Sequence, residues 1–410
     1  MKHKILISAF SCLPNRGSEP GIGWNWAIEA AKTQEVYVLT RTKCKDKIET
    51  ELLLNPVSNL HFIYCDSNSK LRKISIYMEY IHWQWVAYLF LKNVLRTDSF
   101  DYLIHLTFGN MFLPFWTYKL NIPYIWGPLG GGERVPSFMY DRFNLKDQIP
   151  HFIKKILIKS IQVNPFVLGP ANKADLIIAR TNDTKEVFPE KFHNKIEIKL
   201  ETCIDSSEVE VFNNKPNSIL KKSNVNLVYT GRLIPLKNVE LLIDAFKSIV
   251  VNNPLVKLHI IGDGNQREYL QSKVNSCNMQ NNVIFYGMIP REEALKIVGE
   301  SDIYVFPSLK EGGAWSLMEA MALGKPAICL KLSGMEIITD DSSAIRVEGN
   351  NYSDLLESFT SAITSLINNP VLRRNMGGNA KQRMLDVFSW DCIGRYIEVK
   401  LNELDEIKKN

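Results

Sequence analysis

The sequence predicts an α/β protein built from two doubly wound domains, and three observations lead to this fold class. The chain has 410 residues, which is more than one ordinary hydrophobic core accommodates. Short apolar runs alternate with helical patterns along the whole length, as is typical of parallel sheets covered by helices. A polar stretch that includes Asn213-Asn214-Lys215-Pro216-Asn217 divides the runs into two series. Each series therefore fills one domain.

The strands of the two series are predicted from their apolar and β-branched residues. In the first series we expect strands at Lys4–Ala9, Glu35–Thr40, Leu60–Tyr64, Tyr102–Leu106, Pro123–Trp126 and Asp175–Ala179. In the second series we expect them at Asn226–Tyr229, Lys257–Ile261, Val283–Tyr286, Ile303–Phe306 and Pro326–Leu330. We place one domain at residues 1–207, a linker at 208–224 and another domain at 225–389. Residues 390–410 have helical periodicity and either close the second domain or cross back to the first.

Composition excludes several classes of protein. With 45% hydrophobic and 23% charged residues, the chain is typical of a soluble globular protein. The net charge of +5 falls short of the clustered basic surface that a nucleic-acid-binding protein needs, so we expect no nucleic acid partner. The cysteines are odd in number, scattered and without a Cys-x-x-Cys pair. They indicate neither a disulfide framework nor a zinc site, and they favour a reducing cytoplasm.

Two carboxylates, Glu311 and Glu319, stand eight residues apart around the start of a predicted helix. Glu311 lies in a Gly-rich loop that follows the strand Ile303–Phe306, and Glu319 lies about two turns into the helix that ends near Gly324. One loop carboxylate and one helix carboxylate can contact opposite ends of one ligand, while backbone amides at the helix start attract a phosphate. The segment therefore suits a phosphate flanked by hydroxyl groups, as in a nucleotide-sugar.

Two cations, Arg232 and Lys237, follow the strand Asn226–Tyr229 and the turn at Gly231. Open α/β sheets bind ligands at the carboxyl ends of their strands, and a guanidinium with an ammonium can neutralise a diphosphate. An isolated surface Arg or Lys is usually only solvated. The strand-end position, in the domain that also holds the Glu311 loop, favours diphosphate binding.

The glycine pair Gly262 and Gly264 also follows a strand. A dinucleotide fingerprint would need a third glycine where Arg267 stands, so this signal for a dehydrogenase is weak. A tight turn that leaves room for the nucleotide is the plainer interpretation.

Glycine clusters in the first domain indicate close approaches of the backbone. Gly21 and Gly23 precede a predicted helix at residues 24–31, where amides could attract a phosphate or a developing oxyanion, and a loop without a ligand is the alternative. The ordering of three consecutive glycines is entropically costly, so we expect that cluster to lie against something. It follows the strand Pro123–Trp126 and is continued by an acidic residue: Gly130, Gly131, Gly132 and Glu133.

His105 ends the strand Tyr102–Leu106, and Thr107 comes two residues later. A histidine among apolar neighbours is more often a hydrogen-bonded core residue than a catalyst, whereas a strand-end position favours function. The two interpretations are balanced.

Two stretches suit contact with a membrane surface. Residues 81–91 are rich in aromatic side chains, and residues 152–159 place lysines beside an apolar helical stripe. Core helices with lysines on their solvent face would have the same pattern.

The motifs taken together resemble the retaining glycosyltransferases of family 4, which have the GT-B fold. The resemblance is specific over residues 226–340 and weaker over the first domain. It is carried by these motifs: Gly231-Arg232-x4-Lys237, Gly262-Asp263-Gly264, Ser301-Asp302-x3-Phe306-Pro307-Ser308 and Glu311-x7-Glu319-Ala320-x-Ala322-x-Gly324-x-Pro326.

The resemblance implies two Rossmann-like domains facing each other across a cleft, with a nucleotide-sugar on the second domain, an acceptor on the first and no metal or other cofactor. It implies that Arg232 and Lys237 hold the diphosphate, that Glu319 binds the ribose and that Glu311 contacts the donor sugar. It also implies that the segment after Trp390 crosses back to the first domain. The remaining donor-side residues would be Gly21, Gly23, Gly231, Gly262, Gly264, Gly312, Gly313, Ala314, Trp315, Ser316 and Leu317, and the acceptor-side residues would be Thr107, Gly130, Gly131, Gly132 and Glu133.

Two departures from the family pattern concern the sugar. Trp315 stands close to where family members carry a Gly-Phe-Gly sequence, and His105-x-Thr107 replaces a frequent His-x-His. Donor identity, and whether His105 or Thr107 faces the sugar, stay open.

The expected function is transfer of a hexose from a nucleotide diphosphate sugar to a carbohydrate acceptor with retention at the anomeric carbon. The expected acceptor is a lipid-linked oligosaccharide in cell-surface polysaccharide biosynthesis, and the expected location is the cytoplasm or the inner face of the cell membrane. A sugar-nucleotide epimerase of the same fold and a non-catalytic nucleotide-sugar-binding protein are the alternatives.

Overall fold

The computed structural model describes residues 2–66, 68–94, 100–205 and 225–409, which form two compact units. The first unit comprises residues 1–132, 154–201 and 390–410, and the second comprises residues 133–153 and 202–389. Residues 133–153 and the described residues 202–205 group with the second unit, whereas the expected boundaries place both segments in the first domain. The predicted linker at 208–224 lies outside the described residues.

The described part of the first unit contains a seven-stranded parallel sheet with the order β3-β2-β1-β4-β5-β6-β7. The central strand β1 is a run of Ile and Leu that is buried from Ile5 to Ser8, as expected of a strand with helices on both faces. The short edge strand β7 is absent from the sequence prediction. The strands are β1 Lys4–Ser8, β2 Glu35–Arg41, β3 Leu60–Cys65, β4 Tyr102–His105, β5 Tyr124–Leu129, β6 Leu176–Ala179 and β7 Ile196–Ile198.

The described part of the second unit contains a six-stranded parallel sheet with the order β10-β9-β8-β11-β12-β13. Its strands are β8 Asn226–Thr230, β9 Lys257–Ile261, β10 Val283–Gly287, β11 Ile303–Phe306, β12 Ala327–Leu330 and β13 Ala344–Val347. Both sheets are doubly wound, so the predicted fold class is confirmed. In each sheet the strand order reverses at one place, between β1 and β4 and between β8 and β11.

Helices lie between most successive strands of the chain, because parallel neighbours need a crossover connection. Up to residue 187 they are α1 Ser18–Ala31, α2 Lys45–Leu54, α3 Ser69–Arg72, α4 Ile76–Val94, α5 Leu145–Ser160, α6 Pro165–Lys173 and α7 Asn182–Val187. From residue 239 they are α8 Val239–Asn252, α9 Arg267–Ser276, α10 Arg291–Glu300, α11 Trp315–Ala322, α12 Ser333–Ile338, α13 Tyr352–Asn368, α14 Pro370–Val387 and α15 Trp390–Lys409. None of the described helices combines the length and the apolar character that crossing a membrane would require.

The C-terminal helix α15 belongs to the first unit. It buries a stripe of Ile393, Ile397, Leu401 and Leu404, whose spacing of three and four residues is that of one helix face. Polar contacts hold its far end, because the Asp405 carboxylate lies 2.7 Å from His3 Nε2 and accepts a hydrogen bond of 2.7 Å from the Tyr102 hydroxyl. The chain therefore returns to the first unit after completing the second.

Two buried histidines make the stability of the fold depend on pH. Burial lowers the pKa of His105 to about 3 and that of His259 to about 4. Lys257 adds to the shift of the His259 pKa. The native state keeps both rings neutral, while the unfolded chain binds protons below its ordinary histidine pKa of about 6.5.

We therefore expect the free energy of unfolding to fall as the pH decreases from about 6.5 to about 5, by up to about 1.4 kcal/mol per pH unit for each histidine. Carboxylates titrate mainly below this window. Urea denaturation at several pH values measures the slope, and His259→Gln should reduce it. A slope unchanged by His259→Gln would contradict the assignment.

Candidate functional site

The candidate site lies at the switch point of the second sheet, where β8 and β11 are neighbours and their crossovers leave in opposite directions. Open α/β sheets bind ligands in the crevice at such a point. The loops after these two strands are joined there, because the Leu309 amide donates to the Leu236 carbonyl at 2.9 Å and Ser308 Oγ lies 3.3 Å from the same oxygen. This pairing brings together side chains that are far apart in sequence.

Lys237 and Glu311 form an ion pair in this crevice. Ser308 Oγ donates a hydrogen bond of 2.6 Å to the same Glu311 oxygen, Oε1. The Lys237 ammonium also lies 5.4 Å from the centre of the Phe306 ring. The Lys237 and Glu311 side chains are 15% and 14% exposed, so both remain within reach of a ligand while being held by the protein. The two residues that the sequence placed in separate motifs therefore form one unit.

Arg232 lies on the same edge, directly after β8. Gly231, with φ of 155°, makes the turn, and the Tyr229 hydroxyl holds the Arg232 carbonyl at 3.1 Å. The Arg232 side chain is exposed, and no residue of the described chain forms an ion pair with it. Its guanidinium is thus available to an anionic ligand at the switch point.

Glu319 is held by a residue that the sequence did not single out. Arg291, at the start of α10, binds Glu319 Oε1 through Nε at 2.8 Å and through a terminal nitrogen at 2.7 Å. The sequence contained an indication of this role. A positively charged arginine in the first turn of a helix interacts unfavourably with the helix dipole, so its presence there suggests a separate function. Arg291 fixes the orientation of the Glu319 carboxylate.

The predicted donor-side glycines of the second sheet pack against other parts of the protein. A side chain on Gly262 would overlap the Gly231 carbonyl, and one on Gly264 would overlap the Leu233 carbonyl. Gly313 packs against the Thr202 side chain, and the Gly312 carbonyl lies against Gly334. These glycines let the loops at the switch point approach one another, which positions the Glu311 loop without requiring contact with a ligand.

Helix α11 begins at Trp315, with Ala314 before it. Within the segment, the Trp315 amide donates to the Gly313 carbonyl and the Leu317 amide to the Ala314 carbonyl, each at 3.0 Å. Ser316 Oγ donates to the Thr230 carbonyl at 3.4 Å, which ties α11 to the end of β8. The Trp315 and Leu317 amides therefore already donate hydrogen bonds within the protein.

At the switch point of the first sheet, the two predicted polar residues are buried. His105 is 1% exposed, its ring lies 4.0 Å from that of Phe115, and its Nε2 is 3.3 Å from the Tyr80 hydroxyl. With its pKa lowered by burial, the ring is neutral at physiological pH. Thr107 Oγ1 accepts a hydrogen bond of 3.1 Å from the Ser11 amide and is fully buried. These contacts favour the structural interpretation of both residues over a catalytic one.

The glycine clusters of the first domain also contact protein. Helix α1 begins at Ser18, six residues earlier than predicted, so Gly21 and Gly23 lie inside it, and Gly23 packs against the Ser11 carbonyl. Gly131 has φ of 125°, and Gly132 lies against the backbone of Thr184. Gly130 donates to the Gly109 carbonyl at 2.6 Å, and Glu133 is 6% exposed. The three consecutive glycines therefore pack closely against a neighbour, as the sequence predicted, and that neighbour is the protein itself.

A polar network at the carboxyl edge of the first sheet was absent from the prediction. Glu19, in the first turn of α1, accepts a hydrogen bond of 2.8 Å from the Phe108 amide. Arg180, directly after β6, lies 3.4 Å from Glu19 and 2.9 Å from Glu201. The sequence could have indicated Arg180, because this residue directly follows a predicted strand and so lies at the edge of the sheet where ligands bind. In the described residues there is no group of three or more His, Cys, Asp or Glu side chains that could hold a metal ion.

Comparison with known proteins agrees with this geometry. Residues 211–383 match the family model of the glycosyl transferases group 1. The chain is 30% identical over 222 residues to an uncharacterized glycosyltransferase of Methanocaldococcus jannaschii. The aligned region covers 52% of this chain and 58% of that protein. The chain is 24% identical over 230 residues to a poly(ribitol-phosphate) alpha-N-acetylglucosaminyltransferase of Staphylococcus aureus, covering 56% of this chain and 44% of that protein. The chain thus spans about half the length of these curated relatives.

Among solved structures, the Anabaena protein HepE in complex with UDP is similar with a TM-score of 0.61 and 15% identity, over 98% of this chain and 100% of that chain. At this level of identity the likeness shows the fold, which is GT-B.

Proposed function

We propose, from the membership of residues 211–383 in the glycosyl transferases group 1 family, that this protein transfers a hexose from a nucleotide diphosphate sugar to a carbohydrate acceptor with retention at the anomeric carbon. The observation that carries the proposal is the Lys237–Glu311 pair, with Arg232 on the same edge, at the switch point of the second sheet. A carboxylate beside two cations suits a sugar attached to a diphosphate.

In the proposed reaction the bond between the anomeric carbon and the diphosphate oxygen breaks, and the acceptor hydroxyl oxygen bonds to that carbon from the same face. The acceptor proton passes to the departing phosphate oxygen. Arg232 and Lys237 stabilise the negative charge that develops on the diphosphate, which is the main electrostatic contribution and needs no metal ion. Glu311, oriented by Ser308, accepts hydrogen bonds from the donor sugar. Glu319, oriented by Arg291, accepts them from the ribose.

The acceptor and the location are further parts of the proposal. A lipid-linked oligosaccharide of a cell-surface polysaccharide is the proposed acceptor, because the chain carries stretches suited to a membrane surface. The proposed location is the cytoplasm, at the inner face of the cell membrane. All seven cysteines lie in the described part of the chain and none forms a disulfide, and six of them are buried, which suits a reducing compartment.

A thermal-shift screen with UDP-, GDP- and ADP-sugars, followed by a transfer assay, tests the function. We expect one nucleotide class to raise the melting temperature, since a ligand at about 100 times its Kd stabilises the native state by about 2.7 kcal/mol. We expect release of the nucleoside diphosphate to require an acceptor glycan. A donor sugar altered without acceptor would identify an epimerase instead, and binding without turnover on any acceptor would identify a non-catalytic protein.

A further inference from the structure

Three basic side chains converge on one buried carboxylate at the carboxyl edge of the first sheet. Glu79, in the first turn of α4, is 2% exposed. Arg41, the last residue of β2, contacts its Oε1 atom at 3.0 Å, and Lys43 contacts the same atom at 3.3 Å. Arg72, the last residue of α3, contacts Oε2 at 3.1 Å. All four residues belong to the first unit, and the proposed transfer reaction assigns none of them a role.

Arg41 is the partner that the burial of Glu79 requires. It is 5% exposed, and its Nε atom donates a hydrogen bond of 2.7 Å to the Phe10 carbonyl. Its guanidinium lies 3.6 Å from the centre of the Phe10 ring. A buried carboxylate needs a hydrogen-bonded cation to offset its charge, and Arg41 supplies that cation. The other two basic residues are therefore not needed for this purpose.

Lys43 and Arg72 add positive charge beyond what Glu79 offsets. In the described part of the chain, no other carboxylate forms an ion pair with either residue. Burial and the charge of Arg41 lower the pKa of Lys43, and Arg72 lowers it further, although Glu79 acts in the opposite direction. An anion bound by Lys43 and Arg72 would relieve this repulsion.

Both side chains are accessible and yet held in place. Lys43 and Arg72 are 46% and 50% exposed, and each donates one hydrogen bond to Glu79. An ammonium has three N–H donors and a guanidinium has five, so most of their donors remain for a ligand. Lys70 and Lys73, which flank Arg72 in sequence, are also exposed and add to the positive potential. The surface is thus suited to an anion of more than one charge.

We propose that Lys43 and Arg72 bind a phosphate group. A phosphate dianion matches the two excess charges, and an arginine fork beside a lysine suits its several oxygen atoms. A carboxylate carries half that charge and suits the site less. In the proposed reaction the phosphate belongs to the acceptor, a phosphorylated sugar or glycan, because open α/β sheets bind ligands at this edge and the acceptor is expected on the first unit. The assignment to the acceptor rests on the proposed function, whereas phosphate binding itself does not.

Isothermal titration calorimetry of the full chain at constant ionic strength tests this inference without a donor. The probes are glucose 6-phosphate, inorganic phosphate, glucuronate and glucose. We expect glucose 6-phosphate to bind, glucuronate to bind about tenfold more weakly and glucose not to bind. Tighter binding of glucose 6-phosphate than of inorganic phosphate would identify a phosphate ester as the ligand. The reverse order would identify free phosphate and overturn the assignment to the acceptor.

The double substitution Lys43→Gln with Arg72→Gln should weaken the binding of glucose 6-phosphate about tenfold or more, because charge-assisted hydrogen bonds are lost. The difference from the wild-type chain measures this site and leaves out any phosphate that binds in the second unit. Arg41 still pairs with Glu79 in the variant, so the melting temperature should change little. Should the double variant fail to fold, Arg72→Gln alone makes the same comparison.

The matched control is Lys119→Gln with Lys173→Gln. It removes two exposed lysines that precede β5 and β6 and so lie at the opposite edge of the same sheet. Glucose 6-phosphate should bind this control as it binds the wild-type chain. The inference is overturned if the wild-type chain binds no phosphate, if glucuronate binds as tightly as glucose 6-phosphate, or if the Lys43 and Arg72 variant binds as well as the control. Each of these results would leave sugar transfer to a neutral acceptor untouched.

Discussion

Lys237→Ala is expected to lower kcat for sugar transfer by about 10²–10³-fold, the usual effect of removing one preorganised group that stabilises developing charge. Lys237 lies at the switch point and pairs with Glu311, so its loss removes a cation from the diphosphate and leaves a carboxylate without its ion-pair partner. Transfer from the cognate nucleotide-sugar, measured by release of the nucleoside diphosphate, reports the effect.

Glu311→Gln should also abolish most transfer, because an amide keeps the shape of the side chain and loses its charge. If the pair acts as one unit, the double variant should lose little more than either single variant. Lys247→Ala, which removes an exposed lysine from α8, is the matched control and should retain full activity. Near-normal kcat in Lys237→Ala would refute the assignment of the site.

Removal of residues 390–410 is expected to destabilise the first unit severely. The truncation exposes the apolar residues that α15 covers and removes Ile393, Ile397, Leu401 and Leu404 from the core. Burial of each such side chain contributes about 1.5–3 kcal/mol. The sum is comparable with the total stability of a typical domain, about 5–15 kcal/mol. We therefore expect insoluble protein or a melting temperature lowered by about 10 °C or more.

A point substitution separates this effect from a general failure to fold. Leu401→Ala creates a cavity at a fully buried position and should cost about 2–5 kcal/mol. Ile407→Ala, in the same helix, changes a side chain that is 70% exposed and should leave the melting temperature nearly unchanged. Thermal denaturation of the two variants makes the comparison. Equal melting temperatures would show that α15 does not contribute to the core in this way.

Much of the site follows from local sequence patterns. Apolar runs of strand length predict the strands, and the residues after such runs are bound to reach the carboxyl edge of a parallel sheet. Arg232, Lys237 and Glu311 were predicted on that ground. The contact between Lys237 and Glu311 depends on β8 and β11 being neighbours, which is a property of the strand order. The Arg291–Glu319 contact was not predictable in the same way, because it joins side chains of two helices rather than of two strand ends.

The glycines show a second limit of prediction from the sequence. A glycine cluster predicts that backbone must come close to something, because only there is the missing side chain an advantage. Whether the neighbour is a ligand or another loop depends on tertiary packing, and at Gly23, Gly132, Gly262 and Gly264 the neighbour is protein. His105 is similar, since a strand-end histidine can face either the core or the crevice and this one faces the core.

The sequence by itself determined the fold class and the edge of each sheet at which the candidate residues lie, since both follow from the periods of apolar residues and from the parallel arrangement they impose. Tertiary structure alone decided which side chains meet and which surfaces stay open. Lys237 and Glu311 make the physical reason plain. They follow strands that are separated along the chain by two others, and only the placement of β8 beside β11 in the sheet brings the two charges into contact.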